Sequence, residues 1–132
     1  MNAFDEIDVD RRSFAYRDLL NQDLWDSFTV SASITVVGTP TYSGRYRIVG
    51  RQVFFQISAV STTSIATTAG TSYFALPIAA KGIGGVATFT NDTTNIAVGV
   101  CHIDVANSRV YPPTQAASAD TFNVCGWFEI GE

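Results

Sequence analysis

The chain has 132 residues, of which 46% are hydrophobic and only 15% are charged, and its formal net charge is −4. This length and apolar share suit one folded domain with its own core, and they exclude a largely disordered chain. The negative balance argues against a nucleic-acid-binding protein, which needs a basic surface to displace counterions. No apolar run is long enough to span a membrane, and the N-terminus lacks the basic and then apolar pattern of a signal peptide.

Charge is concentrated at the N-terminus. Residues 1–26 carry ten of the twenty charged side chains, and the remaining 106 residues carry the other ten. We therefore predict an N-terminal docking arm over 1–26, followed by a single domain over 27–132.

The arm is predicted to contain a brief helix over 14–21, because Tyr16, Leu20 and Leu24 recur at a spacing of four and Ser13 can cap the first turn. Large apolar side chains in such a segment need a surface on which to be buried. That surface is either a partner or the protein's own domain. The candidate partner-binding residues of the arm are Phe4, Ile7, Arg11, Arg12, Phe14, Tyr16, Leu20 and Trp25.

From Ser27 onward the chain has the pattern of short β-strands, in which apolar and polar residues alternate between Gly, Pro and Asn turns. Gly50 predicts a tight hairpin between two of them, and the Ser/Thr/Ala-rich stretch 61–70 predicts a loop. Eight strands at such spacing predict an all-β fold, an antiparallel jelly-roll-like β-sandwich. The predicted strands span 28–37, 45–49, 52–60, 71–76, 86–90, 96–105, 109–111 and 122–130.

Two of these strands have small or apolar side chains on both faces, one around 96–103 and one at 53–55. A strand of this kind needs cover on both sides. The second sheet provides one cover, and a neighbouring subunit or the arm provides the other. The alternative is a monomer in which a thick loop provides the second cover. The predicted oligomer interface comprises Val53, Phe54, Val98, Val100 and His102.

The sequence offers no catalytic constellation, since its acids are scattered and its single histidine has no partner motif. We therefore predict a protein that is not an enzyme, without catalytic residues, metal site or cofactor. Cys101 and Cys125 are interpreted as free thiols, with a disulfide between neighbouring strands as the alternative. Aromatic rings near turns can stack on sugars, which makes Tyr42, Tyr111 and Trp127 candidate glycan-binding residues.

Three segments of the domain form a further pattern: Gly44-x-Tyr46-x-x-x-Gly50-x-x-Val53-x-x-x-Ile57, then Leu76-Pro77, and the closing Cys125-Gly126-Trp127-Phe128-Glu129-Ile130. Together they resemble the early hairpin, the middle strand and the last strand of β-sandwich domains in bacteriophage virion proteins. The resemblance covers roughly residues 27–132, and the arm is not part of it.

The resemblance implies a homotrimeric jelly roll in the virion, made in the host cytoplasm without a signal peptide. A free-standing domain without shaft, repeats or coiled coil favours a capsid decoration (cement) protein. Such a protein docks through its arm on the major capsid protein or another virion protein and trimerises through its β-sandwich. The alternative is a receptor-binding tip or tail-fibre module that recognises host surface glycans. Neither nucleic acid nor a membrane is expected as a partner.

Overall fold

The computed structural model describes residues 25–81 and 84–130. Within these residues the chain is all-β and contains no helix, and all pairs of named strands are antiparallel, as predicted. The helix predicted over 14–21 lies outside the described residues. The strands are β1 (Asp26–Phe28), β2 (Ala32–Ser33), β3 (Thr35–Val37), β4 (Thr41–Val49), β5 (Gln52–Val60), β6 (Ser64–Thr67), β7 (Tyr73–Ala75), β8 (Val86–Asn91), β9 (Ile96–Asp104), β10 (Arg109–Tyr111), β11 (Gln115–Ser118) and β12 (Thr121–Glu129).

Nine strands form one curled sheet in the order β1-β4-β5-β12-β8-β9-β10-β7-β2, and three form a small sheet in the order β11-β6-β3. The chain passes from one sheet to the other at Ile34, since β2 pairs with β7 whereas β3 pairs with β6. The single strand predicted over 28–37 is therefore divided between the two sheets.

β4 and β5 form the predicted tight hairpin. Val49 pairs with Gln52, which leaves Gly50 and Arg51 as the turn. Gly50 has a φ of 63°, in the left-handed region that glycine adopts without steric cost. The hairpin prediction is thus confirmed, and the turn brings two nine-residue strands into register along their whole length.

The core is dominated by phenylalanine rings from alternate strand positions. The rings of Phe89 and Phe122 are stacked with centroids 5.3 Å apart, and those of Phe55 and Phe128 lie 5.8 Å apart. Each of these side chains is at most 1% exposed, as is Phe74 from β7. Because aromatic side chains bury about 150–250 Å² each, these five supply a large part of the hydrophobic stabilisation.

Two strands of the small sheet were not predicted. β6 lies within the stretch 61–70 that was predicted to be a loop, and β11 has the sequence Gln-Ala-Ala-Ser over 115–118, which lacks large apolar residues. Thr67 of β6 is buried, and its hydroxyl donates to the Pro113 carbonyl at 2.6 Å. A buried hydroxyl satisfied in this way lets a Ser/Thr-rich segment form a strand. The described residues therefore contain twelve strands rather than about eight.

Candidate functional site

The candidate site is the outer face of the long sheet, on the side opposite the core. Rows of side chains cross β4, β5, β12 and β8 on this face. Directly opposed residues in antiparallel strands lie about 4.5–5.5 Å apart, so each row is a continuous surface. The first row is Arg47, Phe54, Trp127 and Val86, the second is Arg45, Gln56, Cys125 and Thr88, and the third is Ser43, Ser58, Asn123 and Thr90.

The first row of the outer face is apolar apart from its arginine. Phe54 and Trp127 are half-buried, and Val86 is 46% exposed. Arg47 is half-buried, and its side chain makes no hydrogen bond or ion pair with other residues in the described ranges. Aromatic residues and arginine are the types enriched at protein–protein interfaces, so this row has the composition of a contact surface.

Trp25 lies beside the second row. The guanidinium carbon of Arg45 is 5.0 Å from the centroid of the Trp25 ring, within the range of a cation–π interaction. Arg45 also donates from Nε to Gln56 Oε1 at 2.7 Å. Trp25, predicted to contact a partner, therefore packs on its own domain.

The predicted boundary after residue 26 falls within β1, which begins at Asp26 and pairs with β4.

A groove of about 630 Å³ runs along β5 between β4 and β12. Its polar lining comes largely from short hydroxyl and amide side chains. A depression of about 260 Å³ continues it beside Trp25, between Phe54 and Trp127. The groove can therefore accept polar groups along its length, and the depression between Phe54 and Trp127 can accept an apolar group. Its lining includes Trp25, Ser27, Ser43, Arg45, Gln56, Ser58, Asn123 and Cys125.

The remaining predicted arm contacts lie outside the described residues and stay predictions. They are Phe4, Ile7, Arg11, Arg12, Phe14, Tyr16 and Leu20. β1 is nevertheless informative about how the arm joins the domain. Asp26 pairs with Tyr46 and Phe28 pairs with Gly44, so the N-terminal end of β1 points toward the β4–β5 turn.

The five residues predicted for an oligomer interface do not share one surface. Val53 is fully buried in the core, because the odd-numbered residues of β5 face inward, so its prediction is wrong. Phe54 is on the outer face, and Val98 is half-buried against the core. Val100 is 69% exposed and pairs with Thr88, so the second row continues onto β9. His102, two residues further along β9, is also exposed.

The three candidate glycan-binding aromatics are also separated. Tyr42 is half-buried and packs against the core, and its burial raises the pKa of the phenol. Trp127 belongs to the outer face. Tyr111 lies in another pocket, of about 400 Å³, together with His102 and Val100, which were predicted for a different role. The predicted aromatics therefore do not form a single sugar site.

A ladder of rings runs from the Tyr111 pocket across three strands, and its last ring, Tyr73, lies outside the pocket lining. The ring centroids of His102 and Tyr111 are 6.3 Å apart, and those of Tyr111 and Tyr73 are 5.7 Å apart. The guanidinium carbon of Arg109 lies 4.0 Å from the Tyr73 centroid, and its Nη1 donates to the Tyr111 hydroxyl at 3.5 Å, which raises the pKa of Arg109. Tyr73 and Arg109 were not among the predicted site residues. Arg109 and Tyr111 are two residues apart on one short strand and so share a face, and this pattern was visible in the sequence.

The two cysteines are free thiols, as in the first interpretation. β8 separates their strands, and two strand spacings of about 4.8 Å place the Cα atoms roughly 10 Å apart, beyond the reach of a disulfide. Burial raises the pKa of Cys101 to about 12, with a further contribution from Cys125. Burial also raises the pKa of Cys125, and Asp92 adds to this shift while Arg45 opposes it.

We expect both thiols to react slowly with an aromatic disulfide reagent at pH 8, because the thiolate is the nucleophile and both pKa values are raised. Cys125 lines the groove and reacts first, whereas Cys101 reacts more slowly, because it is buried and its pKa is raised to about 12. In an absorbance assay, Cys125→Ser removes the faster phase, and the matched Cys101→Ser removes the slower one. Rapid loss of both thiols at pH 8 would show that the groove and the core are wrongly assigned.

Among residues 25–81 and 84–130, no helix is long and apolar enough to cross a membrane. The same part of the chain holds no group of three or more His, Cys, Asp or Glu residues placed to bind a metal ion. Comparisons of the chain with protein-family models, curated proteins and solved structures found no match. The outer face and the Tyr111 pocket are thus the two surfaces from which a function can be inferred.

Proposed function

We propose that the protein is a structural component of a bacteriophage virion, a capsid decoration protein with a jelly-roll-like domain. It docks through residues 1–24 on the major capsid protein or another virion protein, and its β-domain forms homotrimers. The observation that carries this proposal is the position of Trp25: a segment rich in large apolar groups joins the domain at an aromatic and arginine-bearing face.

The composition of the N-terminal segment supports docking. Fully burying one large apolar side chain stabilises a contact by about 1.5–3 kcal/mol, so several together can offset the cost of ordering the segment. Large aromatic anchors typically dominate the energy of such an interface. The segment carries Phe4, Ile7, Phe14, Tyr16, Leu19, Leu20 and Leu24.

Exposed apolar side chains on β8 and β9 support self-association. Val86 is 46% exposed, Ile96 is 57% exposed and Val100 is 69% exposed. These two strands are neighbours in the long sheet, so a second copy placed against them can cover more than one of these groups. Repetition of one such contact around an axis gives a closed homo-oligomer, of which the proposed trimer is one form.

Removal of residues 1–24 tests the docking mechanism. We expect the full chain to saturate capsids prepared without this protein, and the truncated chain to bind at least tenfold more weakly, a loss of about 1.4 kcal/mol or more. The truncation ends before β1, so the thermal unfolding of the domain should change little. Binding is measured by co-sedimentation with the capsids.

The matched control is the full chain with Asn21→Ser and Gln22→Ser, which changes two polar residues of the same segment and keeps every large apolar group. This variant should bind as tightly as the unmodified chain. Equal binding by the truncated and full chains would overturn the docking proposal.

The Tyr111 pocket supports a second candidate function, a tail-fibre or receptor-binding module that recognises host surface glycans. A sugar ring can stack on Tyr111 while a hydroxyl bonds to the exposed His102 imidazole. One wall is held in place, since the Ala69 N–H donates to Thr114 Oγ1 at 2.9 Å. Glycan-array binding that is lost in Tyr111→Ala and kept in Trp127→Ala would favour this function over capsid docking.

A further inference from the structure

The basic side chains of the described residues are concentrated at one end of the outer face. The β4–β5 hairpin holds three of the five, Arg45, Arg47 and Arg51. By contrast, residues 4–10 carry four acidic side chains and no basic one. The remaining basic side chains in the described residues are Lys81 and Arg109. The β4–β5 hairpin and residues 4–10 therefore carry complementary charge, although residues 27–132 as a whole hold five basic and five acidic side chains.

We propose that residues 4–10 of one copy bind in the groove along β5 on the outer face of a second copy. This inference rests on the self-association proposed above and adds a second contact between copies beside the apolar one on β8 and β9, with the groups that hold it. It narrows the docking segment to residues 11–24, which carry all three arginines of the N-terminal segment and remain available for the virion partner.

The spacing of the acidic side chains fits the face. Arg45 and Arg47 are two residues apart on one face of β4, about 6.7 Å along the strand. Asp8 and Asp10 are also two residues apart, so an extended bound segment presents their carboxylates at the same spacing. Charge-assisted hydrogen bonds between carboxylate and guanidinium are among the stronger polar contacts in proteins.

The apolar side chains of the segment fit the opposite wall. Ile7 and Val9 alternate with the acidic residues, so in an extended segment they point away from the arginines of β4. They would then face β12, where Trp127 borders the smaller depression. The stretch of β5 from 54 to 58 is about 13 Å long, the length of residues 7–10 when extended, so residues 4–6 would continue beyond this stretch.

A second copy is the occupant favoured by the path of the chain. The N-terminal end of β1 points toward the β4–β5 turn, so a segment returning to the same groove must reverse direction. Residues 11–24 can span about 46–50 Å when extended, several times the radius of gyration of a domain of this size, about 13 Å, so they can reach a neighbouring copy. A contact in which each segment binds the next copy is heterologous, and such contacts close into rings when the rotation allows.

The test uses two full-length charge-reversal variants and measures their mass in solution by light scattering. The face variant has Arg45→Glu with Arg47→Glu, and the segment variant has Asp8→Lys with Asp10→Lys. Each variant alone places like charges together, so we expect self-association to need at least tenfold higher protein concentration. A 1:1 mixture of the two restores much of the association, because each segment meets an oppositely charged face wherever the two variants are neighbours. In a ring of three, two of the three contacts are of this kind.

Lys81→Glu is the control for charge reversal, since it makes the same kind of substitution, with half the charge change, at an exposed residue outside the three rows of the outer face, and it should associate normally. Raising the salt concentration should weaken association of the unmodified chain and leave its thermal unfolding nearly unchanged, because exposed charge pairs are screened.

Three results would overturn the inference. If the face variant alone associates normally, Arg45 and Arg47 are not part of the contact. If the mixture does not restore association but a single chain with all four substitutions does, the segment binds in the groove of its own copy. Normal association of both variants with loss of capsid binding would assign the face to a virion partner. Capsid binding by the chain lacking residues 1–24 is a separate measurement. Full binding by that chain would contradict the docking proposal, whatever the result of the mixing experiment.

Discussion

Phe55→Ala is expected to lower the free energy of unfolding by about 3–5 kcal/mol, and Phe54→Ala by only about 1 kcal/mol. Phe55 is 1% exposed and contacts the ring of Phe128, so its removal leaves a cavity in the core. Phe54 is half-buried on the outer face, where water can fill the vacated space. Urea unfolding followed by circular dichroism measures both values.

The two substitutions remove the same side chain from adjacent positions of one strand, so each is the control for the other. Their difference reports which face of β5 is turned inward. Equal losses would mean that the alternation along β5 is wrong, and with it the assignment of Phe54 and Trp127 to a common exposed row.

Gly126→Ala is expected to lower the free energy of unfolding by about 3 kcal/mol, at the upper end of the cost of overpacking. A Cβ at this position would lie 2.3 Å from the Val86 carbonyl oxygen and 2.5 Å from the Ala87 Cβ. Both neighbours belong to β8, so β8 and β12 would have to move apart and weaken their ladder. Thermal or urea unfolding provides the measurement.

The control is Gly99→Ala, where the nearest group is the Pro113 side chain at 3.3 Å. A proline ring at this distance needs to shift by only a few tenths of an ångström, so the loss should stay below about 1 kcal/mol. Similar losses in both variants would show that the close approach of β12 to β8, which places Trp127 beside Val86, is not correct.

The strands and the hairpin were predictable because their signals are local. Gly50 between two alternating runs specifies a two-residue turn, and the closing strand from Phe122 alternates along most of its length. The small sheet was not predictable, since β6 owes its burial to contacts such as the bond from Thr67 to Pro113, 46 residues away. No local pattern carries that information.

The candidate site was predicted only in part, for a related reason. Apolar groups at three successive positions, Val53 to Phe55, do not show which of them faces inward, because a shift of one residue exchanges the two faces of a strand. The row that joins Phe54 to Trp127 depends on the pairing of β5 with β12, which local periodicity does not reveal. In the same way, Tyr111 and His102 were predicted for different roles although their strands pair directly.

The most direct test of the whole account is the mass of the full chain in dilute solution, measured by light scattering over a range of concentrations. We expect about three times the 14.2 kDa of one chain, because residues 4–10 and the exposed outer face are buried between copies. A mass of 14.2 kDa at every concentration would contradict it, since the N-terminal segment would then have to be accommodated within a single copy.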